Sequence, residues 1–187
     1  LDSTGIQLVY QTLGQPFSSY ANSFAIERNG GYWLAGYTAN GSVTNALITH
    51  ISSSGAYLSH TTFGGTGNEE FTTITRVGNV LFMAGSTTSY GEGGSDLYFV
   101  AADSVGNQLF DEYAGGPGTD YANGLFHRNG LIYLTGYNNS FGVAESGNLY
   151  GVRINVYEMA DVIASIYDGT LLIPIEHDCS MPRVFIC

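Results

Sequence analysis

The chain has 187 residues, of which 44% are hydrophobic and 13% aromatic, a composition that excludes a disordered or collagen-like protein. Sixteen acidic residues stand against five arginines and no lysine, and the formal net charge is −11. Such a chain cannot offer the cationic stripe that a phosphate backbone requires, so we expect no nucleic-acid partner. No stretch approaches the roughly 18 consecutive apolar residues of a membrane helix, and no transmembrane segment is predicted.

The residue types also indicate where the protein works. Twenty-six glycines and only 11% charged residues favour many short strands joined by tight turns. A tyrosine-rich surface without lysine is typical of secreted proteins, so we expect an extracellular or cell-surface location. Cys179 and Cys187 are compatible with one disulfide, with two free thiols as the alternative. Asn40 and Asn138 fit the N-glycosylation pattern in turn-like segments, where a sugar would be exposed.

In chain order, one pattern of strands and turns occurs three times with a spacing of about fifty residues. The three copies, which superimpose with single-residue gaps, begin at Tyr20 (YANSFAIERNGGYWLAGYT), Phe71 (FTTITRVGNVLFMAGSTT) and Tyr121 (YANGLFHRNGLIYLTGYNN). A polar loop and two further apolar runs follow each copy, and Asn-Gly, Gly-Asn or Ser-Gly pairs mark the turns. Four short antiparallel strands per unit predict an all-β, β-propeller-type array, because one small sheet cannot bury both of its faces.

The repeat sets the predicted limits of each unit within one domain. We expect a lone outer strand at 1–15, blade 1 at 16–65, blade 2 at 66–116, blade 3 at 117–169, and a C-terminal tail or partial blade at 170–187. Each second strand carries a small residue followed by glycine, at Gly36, Gly85 and Gly136. We expect these glycines to admit an adjacent sheet or a loop that a Cβ atom would block.

The segment FGGTGNEEF, continued by GNVLFMAGSTTSYGEGGSDLYFVAADSVGNQL, resembles the propeller repeats of secreted bacterial and archaeal proteins known as SBBP-like repeats. The resemblance covers roughly residues 1–170 and rests on the glycines and turn residues that separate the strands. It implies a propeller fold with adhesion, surface or scaffold roles. The chain departs from the family pattern in strand three, where the usual lysine is absent, and in its degenerate third unit.

Both ends of the chain fall in the middle of a predicted blade. The lone N-terminal strand contains Leu1, Ile6, Leu8 and Tyr10, and the tail contains Val184, Phe185 and Ile186. These strands either complete one blade within the chain or add to the sheets of neighbouring copies, because an unpaired strand edge accepts another chain. The second arrangement predicts a ring or a filament.

The sequence carries no recognisable catalytic motif. The four histidines, 50, 60, 127 and 177, lack metal-ligand spacing, and no G-x-S-x-G nucleophile motif is present. The acids Glu69, Glu70 and Asp120 recur at one rim of the repeat, as Glu92, Asp96 and Glu145 do in the next loop, and such oxygen ligands would suit Ca²⁺.

We therefore expect a non-enzymatic, self-assembling surface, matrix or filament subunit whose partners are copies of itself. The alternative is a lectin-like module, because exposed aromatic side chains could stack on sugar rings. The residues considered for that role are Tyr20, Tyr37, Tyr90, Tyr121, Tyr137 and Phe141.

Overall fold

The computed structural model describes residues 18–140 and 148–155, and this part of the chain is all-β. Its strands are β1 (Ser18–Ile26), β2 (Tyr32–Asn40), β3 (Val43–Ile51), β4 (Tyr57–Phe63), β5 (Glu69–Val77), β6 (Val80–Thr87), β7 (Asp96–Ala102), β8 (Gln108–Ala114), β9 (Asp120–Arg128), β10 (Leu131–Asn138) and β11 (Asn148–Asn155). None of the described residues belongs to a helix long and apolar enough to cross a membrane.

The strands form three antiparallel sheets in which neighbours in the chain are neighbours in space. Sheet 1 has the order β1-β2-β3-β4, sheet 2 the order β5-β6-β7-β8, and sheet 3 the order β9-β10-β11. The prediction of an all-β protein with four-stranded antiparallel sheets is thereby confirmed. The lone strand at 1–15, the tail at 170–187 and the end of the third unit lie outside the described residues.

Short hairpins connect the strands, and their turn residues follow from backbone sterics. Between β9 and β10, Asn129 and Gly130 both have positive φ, 52° and 73°. Positive φ at both central residues defines the type I′ turn, whose twist matches that of the flanking strands, and Asn-Gly is its preferred sequence. The Asn-Gly pair seen in the sequence therefore sets this hairpin.

Sheet 2 lies between the other two sheets, and its alternating side chains serve both interfaces. Leu81 and Met83 of β6 belong to the buried cluster shared with sheet 1. Phe82 and Ala84, on the opposite face of the same strand, belong to the cluster shared with sheet 3. The fold therefore has two buried layers, with sheet 2 covered on both faces.

The first strand of every sheet contains a bulge at the same place. Register shifts fall at Asn22 in β1, Thr72 in β5 and Asn123 in β9, opposite the glycine of the second strand. A Cβ atom on those glycines would overlap the carbonyl oxygens of the residues two positions before each bulge residue, namely Tyr20, Glu70 and Tyr121.

The bulges correct two expectations from the sequence. The glycines are required by the neighbouring strand of their own sheet, so the expectation that they admit an adjacent sheet or a loop was wrong. The register also moves the middle repeat by one residue, because Glu70 rather than Phe71 is equivalent to Tyr20 and Tyr121. An extra residue in one strand shifts every later pair, and composition does not show where it lies.

Candidate functional site

The bulge residues link consecutive sheets. The side-chain amide of Asn22 in β1 donates a hydrogen bond to the carbonyl oxygen of Phe71 in β5, at 2.9 Å. The hydroxyl of Thr72 in β5 donates to the carbonyl oxygen of Ala122 in β9, at 2.6 Å. The same kind of hydrogen bond, from the side chain of a bulge residue to a carbonyl oxygen in the first strand of the next sheet, thus joins sheet 1 to sheet 2 and sheet 2 to sheet 3. The three first strands lie side by side.

The same kind of hydrogen bond identifies two positions at the ends of the stack. Asn123 is the bulge residue of β9, and its side chain is exposed. Ala21 in β1 is equivalent to Phe71 and Ala122, whose carbonyls accept the two inter-sheet bonds. Sheet 3 therefore presents the donor position of this interface, and sheet 1 presents the acceptor position.

Glu69 closes the connector between sheets 1 and 2. Its side chain is buried at 1% exposure. One carboxylate oxygen accepts the backbone N–H of Gly65 at 3.0 Å. The other accepts the hydroxyls of Thr87 at 3.0 Å and Ser89 at 2.5 Å. Three donors compensate the buried charge, as a buried carboxylate requires.

Asp120 repeats the arrangement at the connector between sheets 2 and 3. Its Oδ2 accepts the backbone N–H of Gly116 at 3.1 Å and the hydroxyl of Ser140. Its Oδ1 accepts the N–H of Asn139 at 3.0 Å. The hydroxyl oxygen of Ser140 also accepts the N–H of Gly118 at 3.1 Å. The glycine-rich segments are thus connectors held by an acid and a serine.

Of the acids considered as metal ligands, Glu69, Glu70 and Asp120 do not come together. Glu69 and Asp120 each close their own connector, and Glu70 follows Glu69 on the opposite face of β5. In the described part of the chain, no three His, Cys, Asp or Glu side chains lie close enough together to hold one metal ion.

A cluster of Glu27, Trp33 and His50 was not foreseen from the sequence. The Glu27 carboxylate accepts the indole N–H of Trp33 and contacts Nε2 of His50, both at 3.1 Å. The rings of Trp33 and His50 stack with centroids 4.2 Å apart. Burial opposes ionisation of Glu27, but the bonds to His50 and Trp33 and the attraction of His50 outweigh it and lower the pKa of this carboxyl.

Two pairs of tyrosines occupy equivalent places in sheets 1 and 3. Tyr20 stacks on Tyr37 with ring centroids 4.8 Å apart, and Tyr121 stacks on Tyr137 at 5.2 Å. Tyr20 is 52% exposed, so one side of that pair faces solvent. Of the other aromatic residues considered for sugar binding, Tyr90 packs among tyrosines in sheet 2, and Phe141 lies outside the described residues.

The remaining predicted sites divide between the described and undescribed residues. Asn40 ends β2 and is exposed. Asn138 ends β10 and is buried at 5% exposure, so the expectation of an exposed turn was wrong there. Outside the described residues lie Cys179, Cys187 and all the assembly-strand residues, namely Leu1, Ile6, Leu8, Tyr10, Val184, Phe185 and Ile186.

A scan against protein-family models gives no match to this chain. A search of curated proteins gives no match either. The resemblance to SBBP-like repeats stays a prediction, and the function must be argued from the geometry of the sheets.

Proposed function

We propose that the protein is a secreted, non-enzymatic structural subunit that assembles with copies of itself, and that its sheets are blades of a propeller-type array. The observation that carries this proposal is a sheet-on-sheet interface that occurs twice, each time with the bulge residue of one first strand bonded to the first strand of the next sheet. Among the described residues, nothing covers one half of that interface at each end of the stack. An interface of this kind can continue from one molecule to the next.

The uncovered face of sheet 3 is visible by comparing equivalent positions. Trp33 in β2 and Phe82 in β6 stand three residues before the second-strand glycine, and each is buried against the next sheet. Tyr133 occupies that position in β10 and is 40% exposed. Phe126, its partner in β9, is 61% exposed. This pair forms the outer face of sheet 3, opposite the buried Ile132.

Sheet 1 has the opposite uncovered face. Phe24 and Ile26 of β1 are 60% and 66% exposed. They pair with Leu34 and Tyr32, which alternate with the buried Trp33 and therefore lie on the face turned away from sheet 2. In sheets 2 and 3 the corresponding face packs against the preceding sheet. Large exposed apolar residues grouped on one face are typical of an interaction surface.

The two faces suit each other because each is one half of the repeated interface. A copy that sets its outer face of sheet 1 on the outer face of sheet 3 would bring Asn123 towards Ala21, the pairing already made inside the chain by Asn22 with Phe71. This contact is heterologous, so it gives a ring if the rotation closes and a filament if it does not. Propeller packing is supported by the adjacent first strands of successive sheets. Complementation by the terminal strands remains a prediction.

Two complementary variants test the assembly. We expect the native protein to form species larger than a monomer in sedimentation velocity and light scattering, with a mass that rises with concentration. Phe126→Ser with Tyr133→Ser removes one face, and Phe24→Ser with Ile26→Ser removes the other. Each double variant should be monomeric.

A mixture of the two double variants should form a dimer, because each protein retains the face that the other lacks. Leu58→Ser, an exposed position on β4, is the control and should assemble normally. A native protein that stays monomeric at every concentration would contradict the proposal. So would variants that assemble like the native protein, which would instead favour contacts through strand edges.

Carbohydrate binding is the second candidate, favoured by the stacked pair of the exposed Tyr20 and the half-buried Tyr37. Aromatic faces bind the apolar faces of sugar rings, and an aromatic pair is a pre-organised platform. A glycan array tests this function. Reproducible binding that Tyr20→Ala abolishes would support it, and an array without hits would exclude it for the glycans displayed.

A further inference from the structure

Asp96, the first residue of β7, has a carboxylate enclosed by backbone. Its side chain is 1% exposed. A Cβ atom on Gly91, which has a φ of 101°, or on Gly115 would overlap this carboxylate. The space that Asp96 occupies therefore exists because both neighbours are glycines. The N–H of Gly93 reaches Oδ2 only at 3.4 Å, a long and weak hydrogen bond.

A second carboxylate converges on the same space. A Cβ atom on Gly115 would overlap Oδ1 of Asp96 and stand 2.7 Å from Oδ2 of Asp120. Among the described residues, no donor reaches Oδ1 of Asp96, although this oxygen is buried. An unpaired buried carboxylate oxygen is destabilising by the full desolvation penalty of the group unless something compensates it.

The electrostatics agree with this geometry. Burial raises the pKa of Asp96, and the nearby negative charges of Asp120 and Glu92 raise it further, although the backbone N–H groups of Glu92 and Gly93 oppose the shift. Asp96 thus has negative charges beside it, and its Oδ1 has no donor among the described residues.

The junction between sheets 1 and 2, here called the first junction, has only one carboxylate at the positions equivalent to Asp96 and Asp120. The junction between sheets 2 and 3 is the second junction. Asn45 stands opposite Thr38 in sheet 1, and Asp96 stands opposite Thr87 in sheet 2, so the two residues are equivalent. Glu69 and Asp120 are equivalent as the first residues of β5 and β9. The first junction therefore carries an amide and a carboxylate, whereas the second carries two carboxylates.

We propose that Asp96 and Asp120 bind a divalent cation, Ca²⁺, between sheets 2 and 3. Calcium binds hard oxygen ligands at about 2.3–2.6 Å with flexible geometry, and two converging carboxylates supply such ligands. Water molecules supply the remaining oxygen ligands, because the Ser140 hydroxyl already donates to Asp120 and accepts the backbone N–H groups of Gly116 and Gly118. The cation compensates the unpaired oxygen of Asp96 and fastens the connector to β7. The sequence suggested Asp120 and Asp96 as acids of two separate loops, and the structure brings these two carboxylates together.

The direct test is calorimetric titration of CaCl₂ into the metal-stripped full chain, together with thermal melting in chelator and in calcium. We expect one site with a dissociation constant on the order of 10⁻⁴–10⁻³ M, as in extracellular calcium modules, and a melting temperature that rises with calcium. A native protein that gives no binding heat and no shift with Ca²⁺ overturns the proposal, whatever the variants do.

Asp96→Asn replaces a carboxylate by an amide, so that the second junction carries one amide and one carboxylate, as the first junction does. It should abolish calcium binding and melt in chelator at or above the temperature of the native protein, because the repulsion between two carboxylates is removed. Glu112→Gln, an exposed acid on β8, removes the same charge elsewhere and should keep the response. Calcium binding that survives Asp96→Asn, or that Glu112→Gln abolishes equally, would place the ion elsewhere and overturn the assignment.

Discussion

Gly85 in β6 offers the sharpest test of the bulged register. An alanine at this position would place its Cβ over the carbonyl oxygen of Glu70, 2.8 Å from the carbonyl carbon and 2.9 Å from Cα of Phe71. Real Cβ atoms do not approach heavy atoms so closely. The obstructing atoms are backbone, so no side chain can rotate away, and β5 must move relative to β6.

The size of the effect follows from where the strain falls. Overpacking a well-packed site costs about 1–3 kcal/mol. Sheet 2 is covered on both faces, so β5 cannot shift without disturbing both buried layers. We therefore expect Gly85→Ala to lower the free energy of unfolding by about 3 kcal/mol, a large part of the 5–15 kcal/mol typical of a domain.

Urea unfolding followed by tryptophan fluorescence measures this change. The chain has one tryptophan, Trp33, which is fully buried between sheets 1 and 2. Gly41→Ala is the matched control, because Gly41 has a φ of 65° and nothing within 4 Å of an added Cβ. The control should cost about 1 kcal/mol, the strain of a left-handed alanine. If Gly85→Ala costs no more than Gly41→Ala, the bulged register is refuted.

Two other predictions concern the sheet junctions. Thr72→Val removes the hydroxyl that donates to Ala122 and should cost about 1–2 kcal/mol in urea unfolding, whereas Thr62→Val on the exposed side of β4 should have little effect, and equal costs would contradict the role of the bulge residue. Glu27→Gln should destabilise the protein at neutral pH. The lowered pKa of Glu27 means that its contribution is fully present above the unfolded value of 4.5 and is lost as pH falls through the folded value. The difference between native and variant melting temperatures should therefore shrink below about pH 4.5, and a difference independent of pH would show that Glu27 does not stabilise the fold through its charge.

The candidate sites were only partly accessible from the sequence. The rim acids could be singled out because Glu69 and Asp120 recur at the same point of the repeat. The cluster of Glu27 and His50 could not, because these residues are 23 positions apart and meet only across neighbouring strands. The contrast between Asn45 and Asp96 could not be predicted either, because its effect depends on the acid that the next sheet contributes to the same junction.

The sequence by itself determined the all-β class, the repeating unit and the hairpin turns. These features depend on alternation of apolar residues and on turn residues such as Asn129–Gly130, which act over a few neighbouring positions. Only the tertiary structure decided the bulges, the true contact of Gly85 and the meeting of Asp96 with Asp120. The physical reason is that such contacts join residues far apart in the chain, and their geometry depends on how neighbouring strands and sheets settle against one another.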